Sequence, residues 1–540
     1  MGTADRSPPL LGRARRAPLG AAFYLPPVPS SWWEFSVFNF DPAPRRSGCA
    51  ARRVRSCPSR SARFSFQLSI FSFTTLPLLL VHFARYGPYH HARLKAAVDV
   101  LAPLGWEVVG LETAGNDATY AWDETNGGDS GPRVITAFPG RLHEEITSAE
   151  CKRVLRPLLD ELKPDAMAIA GWAAADALAC LSWCRKHKVR RIVMSETREA
   201  DGKRVWWKER IKRYLISRFD GALVGGKSHQ DYLVKLGMPA ERIAFGYNVV
   251  DNAYFAEKTA RARRPRRAVT PPSGRDEIEE LENRRWTQMD ADQTGDGNQL
   301  SKVEGLKVGA AESEDSSFSI QNSKFKIQNP PYFLASNRFI ERKNLGRLVE
   351  AYAVYANSKF KIQNSKSNLW PLCLLGDGEL KAKLIAQCHE LGLNAIESAP
   401  WEREENFECS ILNDECDQPS VYFPGFRQIE ELPKFYAHAG CFVHPALEEP
   451  WGLVLNEAMA CGLPVLSGSN VGAAEELVDD GVNGWQFDAE NVEAMAQAMT
   501  RMAGLSDVER LTYGHASVRL LEERCPTAAF GLGLKKLLVE

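Results

Sequence analysis

Two carboxylates, Glu449 and Glu457, stand on an otherwise apolar stretch, CFVHPALEEPWGLVLNEAMACGLPVL, from Cys441 to Leu466. The pattern reads as strand, loop, helix, turn, strand. Pro450 and Gly452 open the helix. Leu453, Val454, Leu455, Ala458, Met459 and Ala460 make it apolar on most sides, and Gly462 and Pro464 end it. At about 1.5 Å per helical residue the two acids lie roughly 12 Å apart along the axis. The paired acids of a glycoside hydrolase sit closer, at about 5–9.5 Å. The longer separation suits holding two ends of one polar ligand. Glu449 also lies where the helix dipole and free N–H groups favour an anion. A solvated loop acid and a helix acid paired with a nearby arginine form the plain alternative.

The chain has 540 residues, which predicts two to four domains. Its 67 basic and 68 acidic residues leave a net charge of −1, so no global field points to nucleic acid. Twelve scattered cysteines include no C-x-x-C pair, which suggests neither a zinc site nor a disulfide framework and fits a reducing cytosol.

Residues 1–75 are an atypical or disordered extension, rich in Arg, Pro and Ser towards its start. A transit peptide is a second reading of that tail. Phe64–Ala84 carries no charge and is long enough to span a membrane, but its polar residues and Pro77 favour a strand, Leu78–Phe83, preceded by tail. Residues 76–256 then alternate strands and helices, which implies a parallel sheet covered on both faces. Gly87 occupies the first strand–helix turn, where such sheets bind ligands. Gly221 to Ser228 satisfies the literal G-x-x-x-x-G-K-S string, but Ala222–Val224 read as the strand itself, so a phosphate loop is disfavoured. Residues 257–330 form a long linker insertion that opens on a basic run. Asp292, Thr294, Asp296 and Gly297 imitate the start of a calcium loop, yet its twelfth position is Val303. The octapeptide NSKFKIQN occurs at Asn322–Asn329 and again at Asn357–Asn364, after a helix Leu345–Tyr355; one pair is not a solenoid. Residues 331–515 form a second α/β domain, with a polar insertion near Glu397–Pro419, and residues 516–540 close the chain in helices.

The run Glu449-Pro450-Trp451-Gly452-Leu453-Val454-Leu455-Asn456-Glu457-Ala458-Met459-Ala460-Cys461-Gly462-Leu463-Pro464-Val465 resembles the E-x7-E signature of retaining glycosyltransferases of family 4. The resemblance implies a GT-B fold, two facing Rossmann-like domains, with the acceptor on the first and a nucleotide-sugar donor on the second. It implies that Arg338 and Lys343 bind the donor diphosphate, with Arg342 a weaker candidate. Glu449 would contact hydroxyls of the transferred sugar, and Glu457 those of the ribose. Phe426 and Arg427 would flank the base by their backbone, Gly452 and Leu453 would bind substrate where the helix between the acids opens, and Gly87 would face the diphosphate. Gly472 and Ala473 would present helix N–H groups to phosphate, although Ala replaces the family's second glycine. The last helix would cross back onto the first domain. No metal and no cofactor is expected, since Arg and Lys would meet the charge that grows on the leaving phosphate.

Many relatives carry a His near the strand matched here by Ala166–Ala170, where this chain has Gly171-Trp172, so no catalytic His is assigned. His90 and His91 in the first turn are candidates to face the site. The acceptor is left as a glycan, a lipid-linked molecule or a small molecule, with no nucleic-acid partner. Trp206, Trp207, Lys208, Arg210, Lys212 and Arg213 form a basic aromatic patch with two readings: a solvated helix face, or contact with a membrane or an acidic glycan. The expected location is cytoplasmic, with a peripheral position on the inner face of the membrane as the second option. The rival classes are a decayed, non-catalytic GT-B protein, motivated by the foreign-looking segments, and a phosphorylase of related architecture.

Overall fold

The computed structural model describes residues 76–117, 131–263, 331–361, 369–402 and 419–539. The calcium-like string, the first octapeptide and residues 1–75 lie outside them.

The first lobe runs β1 (Leu78–Phe83), α1 (Pro88–Leu101), β2 (Glu107–Asn116), β3 (Val134–Leu142), α2 (Ser148–Leu162), β4 (Ala166–Ala170), α3 (Ala175–His187), β5 (Arg190–Ser195), α4 (Trp206–Ile216), β6 (Gly221–Val224), α5 (Lys227–Lys235) and β7 (Ile243–Phe245). Helix α6 (Asn252–Arg263) follows. The second lobe runs β8 (Phe333–Ser336), α7 (Leu345–Lys361), β9 (Leu372–Leu375), α8 (Lys381–Glu390), β10 (Asn394–Ile396), β11 (Ser420–Gly425), α9 (Leu432–His438), β12 (Cys441–His444), α10 (Leu453–Ala460), β13 (Val465–Gly468), α11 (Gly472–Leu477), β14 (Gly484–Phe487), α12 (Val492–Ala503) and α13 (Asp507–Arg524). Helix α14 (Ala529–Val539) ends the described chain.

Among the described residues each lobe holds a seven-stranded sheet, ordered β3-β2-β1-β4-β5-β6-β7 and β10-β11-β9-β8-β12-β13-β14. The pairings between neighbouring strands are parallel. The central strands are apolar on both faces because helices cover both: Leu79, Leu80 and Val81 are fully buried, as are Cys441, Phe442 and Val443. Helix starts are fixed locally. Thr147 and Glu150 form a capping box on α2, and Ser506 and Glu509 another on α13.

Two helices exchange lobes. α6 leaves the first sheet and packs on α9 and α10. Thr259 donates to Cys461 Sγ at 3.0 Å, and Arg263 Nη2 donates to the Cys461 carbonyl at 2.9 Å. Residues 257–263 therefore belong to a docked helix, not to the linker expected from 257 onward, and Arg263 of the basic run is a docking residue. In return, α14 packs on α1 and β7, with Phe530, Leu534, Leu537 and Leu538 buried. Gly531 and Gly533 permit this approach: a Cβ on either would stand 2.3 Å or 2.4 Å from a backbone carbonyl, of Ala96 and Phe245 respectively.

Other boundaries shift. α7 continues through Lys361, so the second octapeptide begins inside a helix, not in a loop. Strand β10, which the sequence reading did not name, ends just before the polar insertion, and Gln428–Glu431 precede α9 as a turn because Pro433 sits in its first turn. Gly221–Val224 is a strand and α5 starts at Lys227, so the G-x-x-x-x-G-K-S string leaves no loop to wrap a phosphate.

Candidate active site between the lobes

Besides the exchanged helices, the lobes touch through segments that follow strand carboxyl ends in both sheets. From the first lobe come Tyr89 after β1, Arg198 after β5, and Gly225 to His229 after β6. From the second come Pro450 and Trp451 after β12, then Asn470, Glu475 and Glu476 after β13. The two sheets thus turn their ligand-binding ends toward one another.

Helix α10 begins at Leu453, not at Pro450, so Glu449 to Gly452 is a loop and the all-helical spacing of the two acids is corrected. Gly452 caps that helix at φ 99°, a left-handed conformation that favours glycine. A Cβ there would also lie 3.2 Å from Val471 and 3.4 Å from Glu449 and His444. Leu453, half-buried, packs on the core at the first turn.

Glu449 is largely buried. Its carboxylate accepts from Lys343 Nζ and, at 3.2 Å, from Arg342 Nη1. Burial would raise its pKa, but Lys343, His444 and Arg342 hold it at about 2. Burial lowers the Lys343 ammonium against the pull of Glu449, with Arg342 and Arg338 also lowering it. Arg338, Arg342, Lys343 and Glu449 therefore form one electrostatic cluster, in which two cations already touch one carboxylate. Fully buried His444 joins it: burial first, then Lys343, lowers its imidazole to about 3. Neither ring nitrogen of His444 has a hydrogen-bond partner among the described residues, and the same is true of the buried side-chain amide of Asn337, beside Arg338.

At the other acid, Tyr89 donates to Glu457 Oε1 at 2.8 Å and Tyr436 to Oε2 at 2.7 Å. Burial pushes this carboxyl up to about 7 against those two bonds. One tyrosine comes from each lobe. Asn456, also buried, accepts from Trp451 Nε1 at 2.9 Å and donates to the Asn248 carbonyl at 3.2 Å.

Several expected contacts differ. The N–H groups of Gly472 and Ala473, expected to face phosphate, donate instead to the Glu449 and Trp451 carbonyls at 3.0 Å and 2.9 Å. Gly472 is small because a Cβ would stand 2.0 Å from the Pro450 carbonyl oxygen. Gly87 has φ −102°, which any residue adopts, so no backbone requirement selects glycine there. His90 turns back on its own helix: Nδ1 accepts from Gly87 N at 3.1 Å, and the ring packs on Phe83. The side chain of Phe426 is exposed and that of Arg427 reaches Glu431 and Glu402, so neither side chain bears on the backbone contact expected of this pair.

The first lobe supplies residues that no motif marked. Arg198 is buried and pairs with Asp201 at 3.0 Å and, across the lobes, with Glu475 at 2.7 Å. His229 Nδ1 accepts from Gly226 N, so Nε2 carries the proton that it donates to the Pro450 carbonyl at 3.0 Å. Gly225 lets Trp451 approach, since a Cβ would sit 2.8 Å from the indole. Glu196, at the end of β5, lies within electrostatic reach of Glu449 and Arg342; burial, then Glu449, raises its pKa against Arg93 and Arg342. Farther along the same edge, His82, Thr113, Asp176 and His143 form a chain. Thr113 donates to Asp176 Oδ2 at 2.8 Å, and His143 Nε2 lies 3.1 Å from the same oxygen. That bond to Asp176 raises the His143 pKa. A strand end is the only sequence signal these residues carry.

Among the described residues no group of three or more His, Cys, Asp or Glu side chains is placed to hold a metal ion, and no helix is long and apolar enough to cross a membrane.

Two parallel Rossmann-like sheets closing on a crevice define the GT-B architecture. Solved structures agree with it. Sucrose-phosphate synthase from Thermosynechococcus elongatus superposes with TM-score 0.54 at 15% identity, covering 85% of this chain and 98% of that one. Anabaena HepE, solved with UDP and glucose, superposes with TM-score 0.52 at 16% identity, covering 86% and 99%. Residues 400–509 match the family described as Glycosyl transferases group 1. Among curated proteins, the O-antigen chain mannosyltransferase B of Escherichia coli is 40% identical over 76 residues, 14% of this chain and 19% of that protein. The amylovoran biosynthesis glycosyltransferase AmsK of Erwinia amylovora is 27% identical over 189 residues, 34% and 38% respectively. The chain thus spans well under half the length of these curated relatives.

Proposed function

We propose that this protein is a retaining glycosyltransferase of family 4 that moves a sugar from a nucleotide-diphosphate donor to a glycan, lipid-linked or small-molecule acceptor without a metal. The observation that carries this reading is the meeting of buried Lys343 and partly exposed Arg342 on the largely buried carboxylate of Glu449, beside Arg338, after β8 and β12. A lone structural ion pair would need one cation. A second cation at the same carboxylate, and a third alongside, suit an anionic ligand.

In this reaction the bond from the anomeric carbon to the diphosphate oxygen breaks, and the acceptor oxygen bonds that carbon on the same face. The acceptor's proton passes to the leaving phosphate, so no protein base is required. In this reading Arg338 and Lys343 offset the charge that grows on that phosphate, the role in which preorganised cations are most effective. Glu449, held ionised by Lys343, accepts hydrogen bonds from the sugar hydroxyls. The orphaned nitrogens of His444, and the orphaned amide of Asn337 beside Arg338, would be satisfied through ligand or water. Glu457 accepts the ribose hydroxyls once Tyr89 yields its place. The acceptor approaches from the first lobe, where Glu196 and His143 stand.

The test is donor hydrolysis and transfer with a panel of nucleotide sugars, comparing wild type with Glu449→Ala and Arg338→Ala. Turnover unchanged in both variants sinks the proposal. Calorimetry with nucleoside diphosphates separates it from a decayed fold, which would bind none.

A further inference from the structure

We propose that His229 is a positioning residue for Glu449, acting across the lobes through the carbonyl of Pro450. The inference rests on Glu449 binding the transferred sugar as proposed. Glu449 to Gly452 is a loop, so its carboxylate is only as well placed as its backbone. The second lobe holds most of that backbone itself. Glu449 N donates to the Asn470 carbonyl at 3.2 Å. Gly472 N and Ala473 N donate to the Glu449 and Trp451 carbonyls at 3.0 Å and 2.9 Å, and Leu455 N donates to the Gly452 carbonyl at 3.0 Å. Pro450 has no N–H to give. Its carbonyl is met from the first lobe, by His229 Nε2 at 3.0 Å.

His229 is prepared for that bond. It lies in the first turn of α5, and its Nδ1 accepts from Gly226 N at 3.2 Å, which leaves the proton on Nε2. The ring is fully buried; burial, then Arg198, lowers its pKa to about 4, so the neutral tautomer is the working form. Gly472 makes room for the contact: a Cβ there would meet the Pro450 oxygen at 2.0 Å and His229 Cε1 at 3.3 Å. Arg198, also buried and also from the first lobe, donates at 3.0 Å to the Asn470 carbonyl that receives Glu449 N. Packing alone would be served by any apolar ring. An imidazole fixed in one tautomer, with its donor on the loop carbonyl that the other lobe leaves over, sets the loop's place when the lobes meet. A displacement of about 1 Å is enough to cost a reaction a hundredfold.

The experiment compares two variants of the full chain. His229→Phe keeps a buried ring without the donor, and His229→Gln carries an amide nitrogen that reaches about as far as Nε2. Hydrogen exchange across residues 447–452 reads the loop without any sugar donor. His229→Phe should exchange there about tenfold faster, and His229→Gln like wild type. With the nucleotide sugar that wild type turns over, His229→Phe should lose about tenfold to a hundredfold in kcat, while nucleoside diphosphate affinity in calorimetry stays within about twofold. His229→Gln should recover kcat to within about threefold of wild type. If the Phe variant melts well below wild type, His229→Asn replaces it, since Asn can keep the bond to Gly226 without reaching Pro450. The inference is overturned if the Phe variant keeps either the loop protection or the kcat of wild type, or if Gln does no better than Phe. Loss of turnover in Glu449→Ala with none in His229→Phe sinks this inference alone. Unchanged turnover in Glu449→Ala sinks the reading beneath it and this inference with it.

Discussion

The two lobes share a topology but hold their site residues in opposite ways. In the second lobe, the cluster comes from short contiguous strings: Arg338 to Lys343 after β8, and Glu449 to Glu457 after β12. In the first lobe, Tyr89, Arg198 and His229 are scattered singly along the strand ends and gain meaning only by touching the other lobe. The comparison teaches that the second lobe's cluster is written in contiguous sequence, while the first lobe's share exists only in the assembly.

The sharpest way to break that comparison is to strip the second lobe's cations. Arg338→Ala with Lys343→Ala should lower donor turnover about ten-thousandfold or more, since each preorganised donor contributes about 10²–10³. Steady-state kinetics checks this. If a variant confined to the first lobe, such as Glu196→Gln, did equal damage, the asymmetry would be wrong. Next is the interlobe ion pair. Arg198→Ala leaves Glu475 and Asp201 without their buried partner and should cost about 3–5 kcal/mol in urea unfolding.

A smaller effect is set by pH. Burial pushes the Glu457 carboxyl to about 7, from an ordinary 4.5. Between those values the folded chain keeps a proton that the unfolded chain has released, so stability falls as pH rises through that window. The loss is about 3 kcal/mol. Glu449, held at about 2, acts in a separate window: its contribution is present above pH 4.5 and is lost as pH falls toward 2. Thermal melting from pH 4.5 to 7.5 should therefore show a decline in wild type that Glu457→Gln flattens. The smallest expected change is at Tyr89. Removing its hydroxyl in Tyr89→Phe frees Glu457 Oε1, and a nucleoside diphosphate should bind about fivefold tighter, a gain of ~1 kcal/mol. Weaker binding in calorimetry would instead make Tyr89 a donor contact.

Much of the fold is legible in the sequence because parallel strands buried on both faces leave continuous apolar runs, such as Leu79–Val81 and Cys441–Val443. The second lobe's site is legible for a related reason: glycines, a proline and two acids fall within one strand–helix unit. The remainder is not local. Glycine at 472 reports a backbone approach from Pro450, and glycine at 225 reports an indole from the other lobe. The tyrosines on Glu457 come from Tyr89 and Tyr436, far apart in the chain. Residues 257–263 read as linker because Arg261 and Arg263 look solvated, whereas Arg263 folds onto carbonyls of α9 and α10.

The exchange of α6 and α14 has a consequence for dissection. Any cut between the sheets gives two fragments, each lacking a helix that the opposite fragment has taken with it. The amino-terminal piece would bare the apolar bed left by Phe530 and Leu534, and the carboxyl-terminal piece the one left by Phe255. Neither half is expected to remain monomeric alone, and mixing the two should restore a single particle.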